Sequence, residues 1–202
     1  REGFEVVGAL AAASFTEGNG MSTNRATPSQ PRDVAGRVRR TPFVDTHEHL
    51  VEEESRTRWQ PSPLLPCDDW ALLFSHYADS DLMVAGMSQR EREVLFSPDA
   101  DTRAKWRAME GWWPYVRNTG YGQAVRLSVS ALYGIRDING TTVHTLQDRY
   151  RAAVQPGFYR RVLNDLAGVE SCQVNSLERT FMETRLPTLL MQDLSILNLH
   201  TP

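Results

Sequence analysis

The amino-acid sequence predicts an α/β protein in which strands are separated by long helical stretches. Three observations carry that prediction. Phe43-Val44-Asp45-Thr46-His47-Glu48-His49-Leu50 follows Pro42, opens on apolar residues and reads as a strand. From Asp68 to Gly134, and again from Val143 to Leu166, apolar residues recur at helical spacing. Val169 to Ser176 then reads as a second strand. Strand, helices, strand is the order that gives parallel sheets covered by helices, because parallel neighbours need a crossover.

Residues 1–40 read as a flexible leader. The part from Gly18 to Arg40 is rich in Ser, Thr, Asn, Pro, Gly and Arg and carries no apolar period. Met21 is the first methionine of a chain that opens on Arg1, so residues 1–20 are read as lying upstream of the native start. The apolar run Val6 to Phe15 is too short to span a bilayer and lacks the basic start of a signal peptide.

Residues 41–202 form the structured part, and the first strand holds its most informative stretch. In an extended strand alternate side chains share a face, so His47 and His49 project together with Asp45 behind them, and Val44 and Leu50 take the other face. Neutral imidazoles are good ligands for zinc and similar divalent ions, and a strand holds two of them with little freedom left to lose. The pair also lies at the C-terminal end of its strand, where α/β folds place their sites. Solvation in a polar loop beside Glu48 and Glu52 to Glu54 is the competing reading.

With those residues in view, Phe43-Val44-Asp45-Thr46-His47-Glu48-His49-Leu50 resembles the first strand of the amidohydrolase superfamily. The likeness is to its amidohydrolase-related branch, which also holds uronate isomerases and metal-dependent decarboxylases. The resemblance implies a (β/α)₈ TIM barrel, a divalent metal ion with zinc as the first choice, and His47 and His49 as the first two metal ligands. It implies a metal-dependent hydrolase in which metal-activated water attacks a C–N or C–O bond of a small-molecule substrate. Isomerisation of a sugar acid and decarboxylation on the same scaffold are the alternatives within it, and a non-catalytic binding module is the alternative outside it. Asp45 is the candidate for orienting an imidazole from behind. The later ligands of the family, histidines on middle strands and an aspartate on the last, have no counterpart in this sequence, and the single lysine, Lys105, falls in a helical pattern.

A complete barrel takes roughly 250 residues, whereas this chain has 202. It is therefore read as the N-terminal part of one, its first two or three strands with a helical insertion at about 68–134, inactive alone. After the first strand, Val51 to Pro66 is an acidic, proline-punctuated loop facing the site. Asp68 and Asp69 open a helix with Trp70, Leu73, Phe74 and Tyr77 on one face, His76 being structural. Ser97 and Pro98 start a helix running to about Trp112. The aromatic segment Gly111 to Tyr121 either packs the insertion or walls a pocket, with Arg117 as candidate clamp for a substrate carboxylate. Thr119 begins a helix ending at Gly134. Asn139-Gly140-Thr141 precedes a helix with Val143, Leu146 and Tyr150 inward, Pro156-Gly157 breaks it, and a further helix leads to Gly168 and the second strand. Asn175 and Ser176 at its end are read as strand-end caps. Leu189 to Leu199 is a third apolar segment, strand or helix.

Forty-one per cent hydrophobic and 23% charged residues are ordinary for a globular domain, and a net charge of −3 leaves no basic footprint for nucleic acid. Two distant cysteines, Cys67 and Cys172, exclude a disulfide framework and suit a reducing, cytoplasmic setting.

Overall fold

A computed structural model describes residues 34–62, 65–175 and 183–194. The fold is mixed α/β: helices and a small three-stranded parallel sheet that does not close on itself. Strands β1 (Phe43–Glu48), β2 (Val169–Asn175) and β3 (Leu190–Asp193) lie in that order, each parallel to its neighbour. Both strands read from the sequence form, and the ambiguous third segment begins as a strand. Most of the leader lies outside the described residues, as do Ser176 and the chain from Ser195 on. Its last seven residues are instead a helix, α1 (Val34–Arg40), finished by the Thr41 hydroxyl donating to Arg37 O at 2.8 Å.

Between β1 and β2 every regular element among the described residues is a helix or helical turn. Within the expected post-strand loop, α2 (Glu53–Thr57) forms a short helix. The helix expected from Trp70 to Tyr77 is a 3₁₀ turn, Trp70–Phe74, that stops at His76, and α3 (Tyr77–Ala85) starts after it. His76 sits at φ 70°, a conformation that ends one element and begins the next. Helix α4 (Gln89–Phe96) follows under a capping box in which Ser88 and Glu91 exchange hydrogen bonds. The start signal at Ser97-Pro98 yields only a turn, because Asp101 takes the capping role by accepting from Ala104 N at 2.7 Å and opens α5 (Thr102–Met109). Short α6 (Trp113–Val116) leads to α7 (Gly120–Tyr133), capped by Thr119 and closed by Gly134 at φ 61°, as its sequence predicts. Helix α8 (Val143–Ala153) buries Val143, Leu146 and Tyr150, and a π-helical stretch, Arg160–Leu166, enters β2 through Gly168 at φ 72°.

Two hydrophobic cores result. One is internal to the helices and is built on Trp70, Phe74, Trp113, Leu82, Met109 and Leu146. Here Trp113 meets the Phe74 ring edge to face at 5.2 Å, so the aromatic segment packs the helices together. The other joins the sheet to the π-helical stretch through Val162, Leu163, Val169, Cys172, Val174 and Leu190. The opposite face of the sheet is open, with Val44 54% and Met191 47% exposed. Among the described residues no helix is long and apolar enough to cross a membrane.

Candidate functional site

Strand β1 carries its histidines to the C-terminal end of the sheet by an irregular route. Asp45 pairs with Cys172 and Glu48 with Val174, so three steps on β1 match two on β2. That is a bulge, and the local cause is legible: Asp45 Oδ1 accepts the main-chain N–H of His47 at 3.1 Å and takes that donor out of the ladder. Simple alternation, which put Asp45 on the face of the histidines, does not survive it. Asp45 and the buried Glu48 lie on the side of Cys172, whose thiol is pushed up to about 12 by burial first and then by the negative charges of Glu48 and Asp45. Asp45 thus shapes the strand through the backbone of His47, a different act from orienting an imidazole.

The bulge still leaves the imidazoles together. The rings of His47 and His49 stand edge to face with centroids 4.6 Å apart, His47 exposed and His49 half-buried. From the adjoining end of β2, Asn175 brings its side-chain amide to 3.2 Å from His47 Nδ1. Asn175 in turn pairs in register with Asp193, the last residue of β3. His47, Asn175 and Asp193 therefore mark the C-terminal ends of three adjacent parallel strands. Among the described residues no group of three or more His, Cys, Asp and Glu side chains is gathered tightly enough to cage a metal ion. The chemistry of the donor set is nonetheless suited to a divalent ion, since two neighbouring imidazoles offer borderline-soft nitrogens.

Arg117 is placed in the helical layer, where its guanidinium reaches Oδ1 of Asp137, a residue that follows α7 in the chain, at 3.2 Å. The structure thus gives it a carboxylate partner within the chain. Lys105 is likewise engaged: buried to 1% exposure, its ammonium meets Asp69 at 2.5 Å. The acidic loop forms a cleft lined by Glu52, Glu54, Arg58, Arg185, Leu186 and Leu190. There Glu54 binds both arginines, and Glu53 accepts from Gly157 N at 2.9 Å and Tyr159 N at 2.7 Å, so two of its acids serve to fasten α2 to the chain entering β2 and β3.

No family model matches the chain. No curated protein and no solved structure matches it either.

Asn175 is the residue of this site that sequence reasoning undervalued. A polar residue closing a strand was visible, but its contact with a histidine 128 positions earlier depends on the β1–β2 register.

Proposed function

We propose that the chain is part of a metal-dependent hydrolase of the amidohydrolase type, with His47 and His49 supplying two ligands to a divalent ion, zinc in the first instance. The observation that carries this reading is the pair of imidazoles 4.6 Å apart at the C-terminal edge of a parallel sheet. Side chains at such an edge are held by the strands yet open to solvent and substrate, which is why α/β folds use it for chemistry. When bound, the ion lowers the pKa of water it coordinates toward neutrality and polarises a substrate carbonyl.

The chain's own contribution is orientation. The bulge fixed by Asp45 aims His47 at the strand ends, the half-buried His49 is held by the core residues Leu50 and Val51 that follow it, and Asn175 grips the His47 ring. The open parallel sheet and the acidic and arginine-bearing rim after β1 suit a small-molecule substrate. The expected outcome is that the purified protein carries zinc or a similar ion by elemental analysis. His47→Ala with His49→Ala removes it while the far-ultraviolet circular dichroism stays unchanged, since both side chains lie at a strand end outside the two cores. A double variant that retains its full metal load rules the assignment out.

A further inference from the structure

A neutral imidazole has one N–H, so whatever holds one ring nitrogen decides whether the other can bind a metal ion. His47 Nδ1 has its partner in Asn175 at 3.2 Å. An amide can meet that nitrogen in two ways. Placed as here, with Asn175 Nδ2 toward the ring, the amide donates to Nδ1. The ring proton then sits on Nε2, and Nε2 has no lone pair to offer. Turned by half a revolution, the same amide presents Oδ1 at the same position and accepts a proton from Nδ1, which leaves the Nε2 lone pair free. The heavy atoms barely move, and the proton count of the ring is unchanged: one proton leaves Nε2 and one arrives at Nδ1 through solvent.

Resting on the metal-site reading above, the geometry points to Asn175 as the positioning residue of His47, an amide that turns over as the ring changes tautomer and so sets the readiness of Nε2 for a metal ion. Asp45 meets the same residue at a different point, its Oδ1 accepting the main-chain N–H of His47 at 3.1 Å. The neighbouring Asp193 pairs in register with Asn175 and steadies the strand end from which the amide projects.

The test compares the full chain with Asn175→Asp and Asn175→Leu. Nitrogen-15 spectra of labelled histidine, taken at about pH 8, report the His47 tautomer, and calorimetry with zinc chloride reports affinity. In the zinc-free wild type the proton is expected on Nε2, moving to Nδ1 when zinc is added. The carboxylate of Asn175→Asp can only accept, so it holds the proton on Nδ1 without zinc and tightens zinc binding. Asn175→Leu mixes the tautomers and weakens zinc binding by about tenfold, the low end for such partners because this pair is exposed. Equal tautomer populations in the three proteins overturn the proposal, as does unchanged zinc affinity in Asn175→Leu. If none of the three binds zinc, the metal-site reading falls, while the zinc-free spectra still decide whether Asn175 governs the ring. Should Asn175→Leu fail to fold, Asn175→Asp decides alone: a proton moved to Nδ1 without zinc supports the proposal, and one that stays on Nε2 overturns it.

Discussion

The thiols of Cys67 and Cys172 are both fully buried, and burial pushes each from 9.0 up to about 12; nearby carboxylates, Asp69 beside Cys67 and Glu48 with Asp45 beside Cys172, add to the shift. Both therefore stay protonated at neutral pH, the form that is the weaker nucleophile. Their burial has a thermodynamic consequence. In the unfolded chain a thiol loses its proton near 9.0, whereas in the folded chain it keeps it up to about 12. The stability linked to each protonated thiol is therefore complete below pH 9.0 and is lost as pH rises to about 12. Within that window each thiol contributes a slope of at most about 1.4 kcal/mol per pH unit. Urea denaturation followed upward from pH 9 is expected to show falling stability, with a shallower fall in Cys67→Ala combined with Cys172→Ala. Equal slopes in the two proteins exclude the buried thiols as the cause. Arg117 belongs to this scale too: its half-exposed ion pair with Asp137 is of a kind worth at most about 1 kcal/mol.

Helix α7 is the element whose sequence and packing agree best, and its first turn gives a sharp prediction. A Cβ built on Gly122 falls 2.0 Å from Val116 O and 2.9 Å from Arg117 Cα, main-chain atoms that cannot swing away, whereas one on Gly120 meets nothing within 4 Å. Gly122→Ala is expected to lower stability by about 1 to 3 kcal/mol despite the better helix propensity of alanine, and Gly120→Ala to be neutral or mildly stabilising. Thermal melts of the two variants check this, and equal melting temperatures contradict the close approach of α6 to α7. The same comparison shows what a sequence reveals at this scale. Helix α7 was legible because cap, stripe and stop coincide, Thr119 with Gly134, and α8 because its apolar stripe lies between the Asn139 turn and Pro156. Helix α4 went unread because only Leu95 and Phe96 at its end are buried, which leaves no apolar stripe, although Ser88 and Glu91 carried its capping box in plain view. At the site, the paired histidines followed from spacing, but the bulge between Asp45 and Glu48 required knowing the partner strand. A pattern of period two contains no information about where a ladder skips.

At the scale of the whole molecule the question is what couples the helical core to the sheet core, and the answer centres on Arg56. Its side chain is buried at the end of the segment that leaves β1. The guanidinium holds both oxygens of Asp68, at 2.7 and 3.1 Å, and donates to the Tyr150 hydroxyl at 2.5 Å. It also lies 5.9 Å from the centre of the Tyr150 ring and 5.2 Å from that of Phe158. Tyr150 belongs to the helical core and Phe158 to the sheet core, so one cation ties the chain after the histidines to both. Removing one member of a buried ion pair strands the other, at a cost of about 3 to 5 kcal/mol, while replacing both by apolar side chains of similar size is often near neutral. Arg56→Ala is therefore expected to lose stability in that range, and Arg56→Met with Asp68→Leu to recover much of it. The recovery has a limit that tests the coupling itself. The apolar pair restores packing but not the bond to Tyr150, so hydrogen exchange of the β2 amides should become faster relative to that of α8 in the double variant. In the wild type the two sets should exchange at a common, global rate. If β2 and α8 already exchange independently in the wild type, Arg56 is a local ion pair, and the two cores are held together by the apolar residues they share, Leu132, Ala153 and Val154.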